Sequence, residues 1–184
     1  MIDQKTILLA SFLLPVGLFA QDRYGTRNGH VSFRSETPIE NIEADNHKVS
    51  SVFDAGTGDV QFAVLIKAFE FEKALMQEHF NENYMESTTY PKATFTGKLR
   101  GAGAEEMTRS GTYVVDVTGD LTIHGVTRPM NAKGSITVAA DGTISVSGAF
   151  PVVPEDHGIK VPGVVRDNIA KVVEVRVELN YKKL

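Results

Sequence analysis

The sequence has no cysteine among its 184 residues. It therefore carries neither a disulfide framework nor a thiolate metal site, and the hydrophobic core alone must stabilise the fold. Clusters of basic residues are also missing, and the formal net charge is -4. A nucleic acid is therefore not expected as a partner.

Local catalytic and metal-binding motifs are missing as well. The sequence contains no serine nucleophile elbow, no phosphate loop and no dinucleotide fingerprint. No two of its five histidines have the close spacing of metal ligands. They are His30, His47, His79, His124 and His157. We therefore predict that the protein is not an enzyme and has no catalytic residue, no metal ligand and no cofactor.

The first twenty residues differ in composition from the rest. Lys5 precedes an apolar run at 7–20, after which the sequence turns abruptly polar. The run is shorter than the ~20 residues that a membrane-spanning helix needs. This pattern predicts a signal peptide over 1–20, cleaved after Ala20, and one exported domain at 21–184 that is periplasmic or secreted. A retained single membrane anchor is the alternative.

Beyond residue 21, apolar residues recur at every second position, which is the period of a strand with one buried face. Asp141-Gly142 joins two such runs and is a strong hairpin signal. The runs follow one another too closely for parallel crossovers. The predicted strands, in chain order, lie at 30–35, 39–44, 49–55, 59–68, 92–99, 111–123, 128–138, 143–150 and 171–181.

One segment has a helical period instead. Phe71, Leu75, Met76 and Phe80 recur at spacings of three and four, which predicts an amphipathic helix from Glu70 to Asn83. A later stretch at 151–165 holds three prolines and two glycines and is predicted to be a long loop.

The number of strands indicates the architecture. About eight amphipathic strands in one domain favour an antiparallel barrel, because closure removes the unpaired strand edges that invite aggregation. A two-sheet sandwich shows the same alternation and is the alternative. The inward positions mix bulky residues with small ones such as Gly119, Ala132, Gly134 and Gly148. These residues either leave room for one small ligand or interdigitate in a filled core.

The stretch "DLTIHGVTRPM" at 120–130 places a histidine beside a predicted turn. Continuing the alternation from Tyr113 puts His124 on the polar, outward face. A side chain there suits a hydrogen bond that stabilises the hairpin. His79 lies on the predicted helix and is interpreted as a solvated or capping residue, with a position facing a cavity as the alternative.

Three blocks of the sequence are distinctive: "GDLTIHGVTRPM" at 119–130, "HFNENYMESTTYPKATFTG" at 79–97 and "DHGIKVPGVVRDNIAKVVEVRVEL" at 156–179. Together they resemble the exported bacterial YceI-like proteins. The resemblance implies a lipocalin-like antiparallel barrel of eight strands, extended and capped by a helix. It also implies an apolar interior that holds a long polyisoprenoid chain, such as a quinone tail or a prenyl diphosphate.

The function suggested by this resemblance is an exported protein that binds an isoprenoid lipid for transport or storage. Two alternatives stay open: an enzyme acting on a small lipid or oxidant through a histidine, and an assembly module with a filled core. We expect no membrane span after removal of the signal, and a homodimer is an open alternative. The ligand-binding candidates share an inward position or the apolar helix face, and are Phe62, Val64, Leu75, Met76, Phe80, Phe95, Val115, Val117, Ile136, Val146 and Phe150.

Overall fold

The computed structural model describes residues 22–184, so the predicted signal peptide at 1–20 lies outside the described residues. Nine strands follow one another along this part of the chain. They are β1 (Arg23–Glu36), β2 (Asn41–Asp54), β3 (Asp59–Leu65), β4 (Glu70–Phe71), β5 (Lys92–Arg100), β6 (Gly111–Ile123), β7 (Val126–Val138), β8 (Ile144–Val152) and β9 (Val173–Lys183). None of the helices among these residues is both long and apolar enough to span a membrane.

All strands except the two-residue β4 form a closed antiparallel barrel. The order is β1-β9-β8-β7-β6-β5-β3-β2, and β1 pairs again with β2 to close the ring. β4 pairs with β2 at Ala44 and Asp45, beyond the part of β2 that pairs with β3. The predicted eight-stranded barrel is therefore confirmed, and the sandwich alternative is excluded.

The alternation within the strands separates the core from the surface. In β6, Val115 is buried, whereas its neighbours Val114 and Asp116 are exposed. Every second side chain of β6 thus faces solvent, and most of these are polar, with Val114 as an exposed apolar exception; the residues between them face the inside of the barrel. The inward direction predicted for the odd positions of β6 is correct.

The first two strands are longer than predicted. β1 begins at Arg23 and not at residue 30, because register shifts around Gly29 break the period-two pattern. The predicted strands at 39–44 and 49–55 belong to one strand, β2. Asn46 interrupts its apolar alternation, since this buried side chain donates a hydrogen bond to the carbonyl oxygen of Leu65 at 2.8 Å.

The helix is shorter than predicted. It begins at Ala74 as α1 (Ala74–His79) and continues as one π-helical turn at Phe80–Tyr84. The prediction that it starts at Glu70 is wrong, because Glu70 and Phe71 form β4 and take backbone partners on β2. Backbone pairing with β2 therefore overrides the helical pattern at the start of the predicted helix, residues 70–73.

The two ends of the barrel are built differently. At one end, here called the lower end, the β5–β6 loop at 101–110 folds over the opening and buries Ala102 and Met107. At the other, upper end lie the β1–β2 turn at 37–40, the segment 66–91 with α1, and the loop at 153–172. That last loop contains only short helical turns, as the sequence predicts.

Candidate functional site

The barrel encloses a cavity of about 400 Å³. It extends from the upper-end residues Met76 and Ile169 to Leu99 and Tyr181 near the lower end. Most of its lining is aliphatic or aromatic. A cavity of this volume lies in the range that holds small ligands.

Small inward residues create part of this volume. Gly134 on β7 lies directly opposite Gly148 on β8, and both line the cavity together with Ala132. A Cβ atom added to Gly134 would lie 2.8 Å from the carbonyl oxygen of Ser147, so the close approach of these two strands requires glycine. Ala132, Gly134 and Gly148 therefore leave space in the barrel. Gly119 does not line the cavity: a Cβ atom there would lie 2.8 Å from the ring of Phe95, so at this position a small residue packs against a large one.

Most of the residues predicted from inward position or helix face lie in the cavity wall. Those in the lining are Phe62, Val64, Met76, Phe80, Phe95, Val115, Val117, Val146 and Phe150. They come from β3, the helical segment, β5, β6 and β8, so one wall of the cavity follows directly from the alternation in the sequence. Their contact with a ligand stays a prediction.

Two predicted residues do not line the cavity. Leu75 is 61% exposed, because Met76 turns inward and consecutive helical side chains diverge by about 100°. Ile136 points into the barrel, but it is 0% exposed and packs between its register partners Tyr113 and Val146. Leu75 and Ile136 are therefore removed from the candidate site.

The opposite wall of the cavity is formed by residues that are not among the predicted site residues. Val31 and Phe33 on β1 and Val175 and Val177 on β9 line it. The alternation of β9 is visible in the sequence, so its inward residues could have been included. Val31 and Phe33 alternate within the predicted strand at 30–35, so they too could have been included.

The upper-end loop also contributes side chains that were not predicted. Val161, Val165 and Ile169 line the cavity. Irregular segments have no period from which an inward face can be read, so no sequence signal indicates these three residues.

A cluster of aromatic rings fastens the helical segment to the barrel. The ring centroid of Phe80 lies 5.5 Å from that of Phe33, 5.4 Å from that of Phe69 and 5.0 Å from that of Phe71. Stacked and edge-on pairs at such distances add to the energy of apolar burial. The cluster lines the upper part of the cavity and joins β1, β4 and the helical segment.

Polar groups meet beside the upper end of the cavity. Glu40, in the β1–β2 turn, accepts a hydrogen bond at Oε2 from Asn168 Nδ2 at 3.1 Å. Lys73, just before α1, places its Nζ 3.8 Å from Oε1 of the same carboxylate. Glu40 and Asn168 line the cavity, so three separate upper-end segments converge on this carboxylate.

A second polar pair lies near the lower end. Ser51 donates its hydroxyl hydrogen to the carbonyl oxygen of Gln61 at 2.9 Å, so Tyr181 must be the donor in the 2.6 Å contact between the two hydroxyls. Both side chains are buried, and burial raises the pKa of Tyr181 to about 12. The pair is therefore neutral and internally hydrogen-bonded.

His124 stabilises the upper end from outside the cavity. Its Nε2 lies 2.7 Å from Oε2 of Glu86, and its Nδ1 lies 3.3 Å from the carbonyl oxygen of His157. The predicted structural hydrogen bonds exist, but they join the β6–β7 hairpin to two other segments and not to the hairpin itself. Buried His157 in turn contacts the carbonyl oxygen of Val126 at 3.0 Å.

The histidines do not assemble a catalytic centre in the cavity. Of the five, only His79 lines it, and no hydrogen bond in residues 22–184 joins His79 to a carboxylate. Over the same residues, no cluster of three or more histidine, aspartate or glutamate side chains could hold a metal ion. The arrangement of the cavity can enclose an apolar molecule, with Glu40, Asn168 and His79 available to its polar end.

Comparison with known proteins adds independent findings. The family model of the YceI-like domain matches residues 24–181, whereas no curated protein matches the chain. A solved polyisoprenoid-binding domain from Saccharophagus degradans, implicated in plant cell wall breakdown, is 15% identical with a TM-score of 0.76, and the match covers 89% of this chain and 99% of that one.

Two further solved structures are similar. BcnA of Burkholderia cenocepacia is 21% identical with a TM-score of 0.67, over 84% of this chain and 96% of that one. The YceI protein of Campylobacter jejuni is 17% identical with a TM-score of 0.61, over 98% of this chain and 100% of that one. At such identities these structures establish a shared fold.

Proposed function

The chain belongs to the YceI-like family, and on this premise we propose that it binds an isoprenoid lipid in the barrel interior, for transport or storage, without changing it chemically. The observation that carries the proposal is the apolar cavity of about 400 Å³ that runs along the barrel. The similar domain from Saccharophagus degradans, described as polyisoprenoid-binding, supports the same chemistry.

An apolar chain can bind this site with few polar contacts. Each buried methylene contributes about 0.8 kcal/mol, so several isoprene units gain enough from burial alone to bind tightly. The polar groups at the upper end favour one orientation. The head group lies near Glu40, Asn168 and His79, and the tail extends toward the lower end, where Ser51 and Tyr181 already satisfy each other.

We further propose that the protein is exported to the periplasm or secreted. This proposal rests on the composition of residues 1–20 and its abrupt change at Gln21. Amino-terminal sequencing of periplasmic or secreted material is expected to begin near Gln21. Recovery of intact Met1 in a membrane fraction would favour the retained anchor.

The lipid-binding proposal is tested by placing a charge inside the cavity. Val117 lines the cavity, whereas the next residue, Thr118, faces solvent. Val117→Asp buries a carboxylate in apolar surroundings at a cost of several kcal/mol unless it stays protonated, so the variant should lose its bound lipid. Lipid is extracted from the purified native protein and quantified by mass spectrometry.

The matched control is Thr118→Asp, which adds the same charge to the outside of the same strand. It should retain lipid in the amount found for the unaltered protein. If purified protein carries no isoprenoid and takes none up, or if Val117→Asp keeps as much as Thr118→Asp, the proposal fails.

A further inference from the structure

The charge of the upper-end opening indicates which head group the lipid carries. Resting on the proposed function, we propose that the preferred ligand is a prenyl lipid with a neutral, hydroxyl-bearing head group and not a prenyl diphosphate. We assign the selection to Glu40. The residues that support this are the carboxylate itself, its partners Asn168 and Lys73, and the charges around the opening.

Glu40 offers one oxygen to a ligand. Its Oε2 already accepts the hydrogen bond from Asn168, whereas its Oε1 has only the looser contact with Lys73 at 3.8 Å. A carboxylate only accepts hydrogen bonds, so Oε1 suits a hydroxyl donor at the end of the cavity. Because the side chain of Glu40 is 28% exposed, a hydroxyl bound there also stays within reach of water.

A diphosphate at the same position would meet a negative field. Glu40 lines the cavity, and the segments at 36–43 and 66–86 that border the opening hold more acidic than basic side chains. Like charges repel one another more strongly where protein displaces water between them. The diphosphate would therefore be repelled where the hydroxyl is accepted.

The nearby cations are either paired or turned away from the cavity. Lys73 is exposed and places its Nζ 3.8 Å from Oε1 of Glu40. Lys133 is among the residues that line the cavity, but its exposed side chain directs Nζ to Oδ1 of Asp116 at 2.7 Å on the outer surface. The basic residues of the loop at 153–172 are all exposed and outside the cavity lining; they are Lys160, Arg166 and Lys171. Sites that bind phosphate tightly usually have arginine or lysine side chains that converge on the anion. The cations around this opening do not converge on one point of the cavity.

The test compares two ligands that share one tail. Geranylgeraniol and geranylgeranyl diphosphate are titrated into delipidated protein at fixed pH and salt concentration, and each Kd is measured by calorimetry. The alcohol should bind at least about tenfold more tightly, which corresponds to about 1.4 kcal/mol. Glu40→Gln removes the charge but keeps an acceptor oxygen, so it should strengthen diphosphate binding about tenfold and change alcohol binding much less.

Glu43→Gln is the matched control, because it removes the same charge close to the same turn. Glu43 is exposed, pairs with Arg34 and does not line the cavity. It should leave the preference unchanged. The comparison is repeated with His79→Gln, which removes another ionisable side chain that lines the cavity at this end, and the preference for the alcohol should persist.

The outcomes separate the two proposals. If neither ligand binds, the lipid-binding function fails and the head-group preference fails with it. If both bind but the diphosphate binds as tightly as the alcohol or more tightly, the function stands and the head-group inference is wrong. If Glu43→Gln shifts the preference as much as Glu40→Gln, the assignment to Glu40 is wrong.

Discussion

The lower and upper ends of the barrel use the same eight strands but finish them in opposite ways. At the lower end the loop at 101–110 folds inward, so that its own Met107 and the nearby Leu99 of β5 are buried. At the upper end the covering segments expose apolar side chains, including Leu75 and the 94% exposed Val164. One barrel thus has a lower end covered by a loop with buried side chains and an upper end covered by segments with exposed apolar side chains.

The two ends are also held by different forces. The loop at 101–110 joins β5 to β6, which are neighbours in the barrel and whose backbone ladder runs upward from Arg100 and Asp116. The cover at the top depends on side-chain contacts between segments far apart in sequence, such as the aromatic cluster around Phe80 and the contact between His124 and Glu86. Substitutions at the lower end should therefore affect global stability, whereas those at the top should mainly release the cover.

The largest expected effect comes from the barrel wall near the lower end, where β2 ends at Asp54. Phe53 is 0% exposed, and Phe53→Ala should lower the free energy of unfolding by about 3–5 kcal/mol through the cavity that it leaves. Phe80→Ala, in the cover, should cost less because Phe80 is only partly buried. Urea unfolding of both variants measures the difference. Equal losses would show that the two ends do not differ in this way.

The second effect depends on pH and concerns Tyr181. Below about pH 10, both the folded and the unfolded chain keep its hydroxyl protonated. Between about pH 10 and about pH 12 the unfolded chain loses this proton and the folded chain retains it, because burial raises the pKa of Tyr181 to about 12. The free energy of unfolding should therefore fall by about 2–3 kcal/mol as the pH rises through this window.

Tyr181→Phe isolates that contribution. The variant should lose stability at neutral pH, because Ser51 loses its partner, but it should show a shallower alkaline decline than the unaltered protein. Tyr113→Phe is the control, since the hydroxyl of Tyr113 contacts only the carbonyl oxygen of Arg109 at the surface. Parallel alkaline declines for Tyr181→Phe and the unaltered protein would contradict the prediction.

The smallest effect concerns the cover. His124→Ala removes the contacts with Glu86 and His157, and should lower the free energy of unfolding by about 1 kcal/mol while lipid stoichiometry is unchanged. His124 has a φ of 50°, a conformation that asparagine tolerates better than alanine, so His124→Asn should be the milder variant. Loss of bound lipid without loss of stability would mean that His124 acts in binding.

The predictability of this molecule follows the regularity of its backbone. Val115 and Val117 were assigned to the interior because β6 alternates without interruption. β1 was truncated because register shifts around Gly29 break the same rule, and β2 was divided because Asn46 is a polar residue at a buried position. Regular strands thus predicted most of the barrel and one wall of the cavity.

The contacts within the cover could not be predicted either. The partners of His124 are 33 and 38 positions away, and no local pattern connects such residues. Ile169 lines the cavity from a loop that has no period. Leu75 was misplaced because the helix starts four residues later than its apolar pattern suggests, after β4 has taken up the preceding residues.

The pairing of β1 with β9 has a consequence for how the chain folds. His30 and Glu178 face each other across this pair although they are 148 positions apart, so the ring closes only after nearly the whole described chain has been ordered. Such distant pairing is entropically costly to begin, and domains dominated by it fold in milliseconds to seconds. Until then β1 and β8 each present an unpaired edge, which makes β9 the element that protects the nascent barrel from aggregation.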